Sequence, residues 1–114
     1  MRHRKKRHLR GDKDRRRKEL RALASAVILY DRIETTKARA KITRSAVEKM
    51  ITRGKKGGLP AIRLLRRDLP QNAVKKIMEI FAARYQGRPG GYTRIIHAGK
   101  YKDGTAKVLL EFVK

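Results

Sequence analysis

The sequence predicts an α+β fold. It should be a two-layer single domain in the order α-β-α-α-α-β-β, with a three-stranded mixed sheet covered by helices and an extended basic arm at the N-terminus. Three observations carry this expectation. Apolar residues recur at helical spacing between residues 20 and 85. Beyond residue 91 they change to strand-like runs, and glycine or proline clusters stand where the pattern changes.

Residues 1–11 hold a single apolar side chain past Met1, Leu9, so they cannot bury enough surface to fold alone. They are expected to form the arm, with the domain at residues 12–114. The first helix should start near Asp12 or Asp14, either of which can cap it. Leu20, Leu23, Ala24 and Val27 form its buried stripe. Arg15, Arg16, Arg17, Lys18 and Arg21 crowd its early turns, where the positive end of the helix dipole disfavours cations. A local rule broken this way marks a candidate functional surface.

Arg32-Ile33-Glu34-Thr35-Thr36 alternates and is rich in β-formers, which predicts a short strand. Thr36 can cap a second helix with the stripe Ile42, Ala46, Val47, Met50 and Ile51, while Lys37, Arg39, Lys41, Arg44 and Lys49 cover much of the rest. Gly54 to Gly58 ends it. Leu59-Pro60 and Leu69-Pro70 open two further helices, because proline is tolerated in a first turn. Ile62 and Leu65 anchor the third helix; Val74, Ile77, Met78, Phe81 and Tyr85 give the fourth its stripe. These stripes read as core. Tyr92 to His97 and Lys107 to Val113 are then two strands joined through Asp103-Gly104 as a hairpin, which the strand at Ile33 completes as a sheet.

Charge narrows the function. Lys and Arg number 33 against 10 Asp and Glu, a net +23, so the chain repels itself and calls for a polyanionic partner such as nucleic acid or an anionic membrane surface. Leu, Ile, Val and Phe number 26, just above the range of disordered chains, so the body folds. The lack of cysteine excludes disulfides, thiolate metal sites and cysteine nucleophiles. No apolar stretch approaches the roughly 20 residues that span a bilayer. The basic start has no apolar segment behind it, so a secretory signal is not expected.

Chemistry is sparse. The carboxylates are scattered, His3, His8 and His97 show no ligand spacing, and Gly87 to Gly91 follows a helix where a phosphate loop would precede one. No cofactor, metal, small-molecule substrate or enzymatic activity is expected. Gly54-Lys55-Lys56-Gly57 fits the spacing of a KH loop, but two lysines between glycines are common in any basic loop. Aromatic residues are too few for a sheet that stacks bases. The expected mode is recognition of RNA backbone and shape by Arg and Lys.

Met1-Arg2-His3-Arg4-Lys5, the run Arg32 to Lys41, Val47 to Thr52, Gly90-Gly91-Tyr92-Thr93-Arg94-Ile95 and Leu110 to Val113 occur in this order along the chain. Together they resemble the family of ribosomal protein seventeen of the bacterial large subunit, over the whole length. An organelle transit peptide is disfavoured because the resemblance begins at Met1. The resemblance implies a cytoplasmic, ribosome-bound structural protein with large-subunit ribosomal RNA and neighbouring large-subunit proteins as partners, near the exit of the peptide tunnel. Asp12 to Arg16 departs from the family, which often has small hydroxyl residues and a histidine there.

Four groups are candidate RNA ligands. The arm offers Arg2, His3, Arg4, Lys5, Lys6, Arg7, His8 and Arg10, and the first helix Arg15, Arg16, Arg17 and Arg21. Arg32, Thr35, Thr36 and Lys37 place hydroxyls and backbone N–H groups at a helix start, where phosphate is favoured; ordinary capping by Thr36 is the competing reading, and both can hold. Arg88, Gly90, Gly91, Tyr92 and Arg94 form the last group. Its glycines permit close backbone approach, while Tyr92 either packs on the core, the preferred reading, or stacks on a base. Rival functions lack their marks: a DNA-compacting protein a dimer surface or intercalating wedge, a membrane-active peptide a large exposed apolar face.

Overall fold

Asp12 opens the first helix. In the computed structural model, which describes residues 9–114, its carboxylate accepts the Arg15 backbone N–H at 2.8 Å and caps α1 (Lys13–Tyr30). Asp31, in the left-handed region at φ 68°, ends α1 and turns the chain directly into β1 (Arg32–Thr36). Lys76 holds this corner, donating to the Leu29 carbonyl and the Asp31 carboxylate, each at 3.0 Å. Thr36 closes β1 and caps α2 (Lys37–Lys56) by accepting the Arg39 N–H at 3.3 Å.

The next helix, α3 (Gly58–Asp68), begins two residues ahead of Pro60, which leaves the proline in the first turn, where its missing N–H is harmless. After Pro70, α4 runs as Gln71–Lys76, widens into a π-helical turn at Ile77–Phe81 and finishes with Ala82–Arg84. The expected regular helix is therefore interrupted, for a reason visible in its stripe. Ile77, Phe81 and Tyr85 are all buried at a strict four-residue spacing, which drifts around a helix of about 3.6 residues per turn. The wider turn absorbs that drift and keeps all three on one line.

The sheet is three-stranded in the order β1-β3-β2, with β2 (Thr93–Lys100) and β3 (Ala106–Phe112) forming the hairpin. Both pairings are antiparallel, which corrects the mixed sheet expected from the sequence. The cause lies in the strand order: β1 and β2 run in the same direction but never touch, because β3 lies between them. β2 is longer than expected, reaching Lys100 across an irregularity in the register after His97.

Alternation divides the sheet. Ile33, Thr35, Ile95, Val108, Leu110 and Phe112 lie on the helix side, while Arg32, Glu34, Arg94, Ile96, Lys107, Leu109 and Glu111 lie on the outer side. Between the layers, the Phe81 ring stacks on Phe112 at 4.2 Å and Tyr85 meets Tyr92 at 5.1 Å. Tyr85 donates its hydroxyl hydrogen to the Val113 carbonyl, tying α4 to the strand that ends beside it.

Candidate nucleic-acid interface

On α1, Lys13, Arg17 and Arg21 stand four residues apart; on α2, so do Lys41, Ser45, Lys49 and Arg53. Side chains at that spacing share a helix face. The packing of α1 against α2 turns the two rows toward each other across an open groove of about 750 Å³. Arg16 adds a seventh cation to its lining, against one carboxylate, Asp68. Leu9, Leu20, Ile42, Ala46 and Met50 supply its apolar part.

Leu9 fixes one end of this groove. Although it lies in the stretch expected to extend from the body, only 6% of it is exposed. Arg10, by contrast, is exposed. Arg2, His3, Arg4, Lys5, Lys6, Arg7 and His8 lie outside the described residues.

Among the described residues, no ion pair neutralises a groove cation; the pairs are Arg39–Glu19, Arg44–Glu48, Lys76–Asp31, Arg94–Glu111 and Lys107–Glu34. Arg21 instead donates from Nε to the Asp68 backbone carbonyl at 3.2 Å, and Arg16 from Nε to the Asp12 carbonyl at 3.4 Å. Their charge therefore remains available to an outside anion. Among the described residues no buried side-chain nitrogen or oxygen lacks a partner, and no group of three or more acidic or histidine side chains could hold a metal ion.

The glycine loop sits at the far side of the α2 row. Lys49 and Arg53 line both the groove and a second hollow that reaches Pro89, Gly90 and Tyr92. Gly91, at φ 63°, takes a left-handed turn that glycine adopts without strain, and this sends Tyr92 inward. Tyr92 is 1% exposed and so packs on the core; it offers no face for stacking on a base. Its hydroxyl accepts from Lys55 Nζ at 3.1 Å and lies 3.3 Å from Thr52 Oγ1. Burial acts to raise the phenol, but the hydrogen bonds to Thr52 and Lys55, with the charge of Lys55, outweigh it and hold Tyr92 below its ordinary value. Lys55 also donates to the Arg88 carbonyl, and Glu48 accepts from the Thr93 backbone N–H and hydroxyl at 3.3 and 3.1 Å. The loop is thus strapped to α2, with Arg88 exposed above it.

Other sequence candidates lie elsewhere. Arg94 is exposed on the outer sheet face and bound to Glu111 at 2.6 Å. Arg32 is near Tyr30 and Arg84 at the opposite end of β1 from Thr36. Thr35 is buried, Thr36 is engaged as a cap, and Lys37 is exposed at the start of α2. So Arg16, Arg17 and Arg21 come together with the glycine loop through α2, while Arg32, Lys37 and Arg94 do not join them. Arg15 is exposed on α1 but does not line the groove. Sequence reasoning did not single out Lys13, Lys41, Lys49 and Arg53 as ligands, although their four-residue spacing was visible.

Comparison with known proteins places this architecture. A family model described as ribosomal protein L17 matches residues 19–113. The chain belongs to the ribosomal protein L17 family. The large ribosomal subunit protein bL17 of Azorhizobium caulinodans is 47% identical over 93 residues, covering 80% of this chain and 67% of that protein. That of Staphylococcus epidermidis is 46% identical over 112 aligned residues, covering 88% of this chain and 92% of its own. The Staphylococcus aureus protein is 44% identical with the same coverage. The family is one of structural ribosome components, not of enzymes. Its matched span takes in Arg21 and the whole α2 row but starts beyond Lys13, Arg16 and Arg17. No helix among the described residues is long and apolar enough to cross a membrane.

Proposed function

We propose that this protein is a cytoplasmic structural constituent of the large ribosomal subunit that binds and stabilises large-subunit ribosomal RNA, beside neighbouring subunit proteins near the exit of the peptide tunnel. The observation that carries RNA binding is the pair of cation rows facing each other across α1 and α2, with no ion pair to them among the described residues. Phosphate contacts of this kind release counterions and fix position and register, without reading base sequence. Arg2, Arg4, Lys5, Lys6, Arg7 and Arg10 of the sequence-expected arm are further ligands for phosphate. Charge-assisted contacts to phosphate offset the entropy lost when a basic segment is held on RNA.

The test is binding to large-subunit ribosomal RNA near physiological salt, with excess transfer RNA and duplex DNA as competitors. Two variants accompany the full chain. One replaces Arg2, Arg4, Lys5, Lys6 and Arg7 by Gln, which leaves the packed Leu9 in place; the other is Lys41→Gln with Lys49→Gln and Arg53→Gln. Each variant should weaken binding, and removing each phosphate-binding cation should flatten the dependence of log affinity on log salt by about 0.7–0.9. Equal competition by duplex DNA would replace this reading with general nucleic-acid compaction.

A further inference from the structure

The groove between the cation rows is more than a charged surface, because its interior is apolar. Leu20, Ile42 and Ala46 are half-buried there and Met50 is 6% exposed, so the floor offers carbon surface to whatever lies between the rows. A partner that met only cations would need no such floor. A partner that was only apolar would leave seven cations without anions. The occupant must present an apolar face and negative charge on both sides of it. A nucleotide has this form, with a flat base between two backbone phosphates.

Size selects the state of that nucleotide. An open groove of about 750 Å³ is on the scale of a small-molecule site, so it has room for a nucleotide and not for a duplex. A paired helix can rest its phosphates on the rims, but its bases stay stacked inside the duplex. Only an unpaired base can turn down to the floor, and splayed bases of loops and bulges are what proteins read in RNA. The described aromatic rings supply no stacking platform in the groove, so contact would come from aliphatic side chains and the guanidinium planes of Arg17, Arg21 and Arg53.

Resting on the reading that the chain binds ribosomal RNA, we infer that the α1–α2 groove receives an unpaired nucleotide. Its base lies against Leu20, Ile42, Ala46 and Met50, and its flanking phosphates lie along the two cation rows. The arm of this chain is a poor rival occupant, because residues 2–7 carry five Arg and Lys and are repelled by the same rows.

The absence of cysteine gives a direct test. Ser45 is exposed at the groove, so Ser45→Cys in the full chain carries a single benzophenone label there. The labelled protein is bound to deproteinised large-subunit ribosomal RNA and irradiated. Crosslinks are mapped by primer extension, against chemical probing of which nucleotides in that RNA are unpaired. The expected result is a narrow set of crosslinks to unpaired nucleotides. They should fall at least tenfold in Ser45→Cys with Lys49→Glu and Arg53→Glu, whose folding is checked by circular dichroism. Crosslinks confined to paired helices would overturn the inference, as would none from position 45 when the same label on Arg10→Cys reacts with RNA. Displacement of the RNA from the groove by polyglutamate at matched charge would also overturn it, in favour of an acidic protein segment. Failure of the unlabelled chain to bind the RNA would instead remove the functional reading and this inference with it.

Discussion

Gly54 shows how closely single atoms are set. It lies in α2 where α4 crosses, and a Cβ added there would come within 2.4 Å of Ile77 Cγ2. Isoleucine is stiff at its branched carbon, so the backbone or the rotamer must shift. Alanine in a helix gains up to about 1 kcal/mol in propensity over glycine, whereas overpacking a core costs about 1–3 kcal/mol. Gly54→Ala should therefore lower stability by up to about 2 kcal/mol in chemical denaturation, and a stabilised variant would show that the helices have room to part. Tyr92 makes a second case. Its folded phenol ionises below the ordinary 10.0 of an unfolded tyrosine, so the folded state releases its proton first. Rising pH then favours folding from the folded pKa up to about 10; the contribution is present above that and lost as pH falls back through the folded value. The stability difference between wild type and Tyr92→Phe should widen from pH 8 to pH 10. A constant difference would mean that Lys55 and Thr52 do not hold the phenolate.

Among the elements, α1 combines a good cap with a bad charge distribution, and the two can be separated. Asp12 caps the helix through the Arg15 N–H, while Arg15, Arg16 and Arg17 load its positive end. Asp12→Ala should cost about 1 kcal/mol of stability, or about 4 °C in Tm, by loss of the cap. Its affinity for RNA should hold or rise, since a carboxylate leaves the edge of a cationic surface. A parallel fall in both would mean that the first helix must be fully ordered to bind. This helix and β1 were legible in the sequence because their signals are local: a capping aspartate, a period of four, an alternating Ile33 and Thr35. The π turn of α4 was not, since it depends on how Ile77, Phe81 and Tyr85 meet α2 and β3. Nor was the antiparallel sheet, which follows from the edge of β3 that β1 occupies. The proposed binding surface was half legible. Arg16, Arg17 and Arg21 broke a local rule and drew notice, whereas Lys41, Lys49 and Arg53 obeyed every rule on α2. Their place in the proposed surface comes from α1 lying opposite, and that requires tertiary packing.

For the whole molecule, an excess of 23 positive charges sets salt against itself. Screening relieves repulsion within the folded chain, so raising the salt from tens to hundreds of millimolar should raise the Tm of the free protein. The same increase should weaken RNA binding steeply, as counterion release becomes less favourable. Thermal melts and binding isotherms across one salt series would show the opposed slopes; melts insensitive to salt would mean that local ion pairs already absorb the repulsion. The sheet order has a consequence of another kind. β3, the central strand, comes after both of its neighbours in the chain, and β1 pairs with it across some seventy intervening residues. During synthesis, β1 and β2 emerge without any strand to join, while the four helices with their cations are already out. On the proposed reading, the polypeptide can take hold of RNA before its sheet closes. Translation halted ahead of residue 106 leaves both outer strands unpaired and Phe81 without Phe112, so an incomplete product carries most of the charge of this protein without the Val108, Leu110 and Phe112 part of its core.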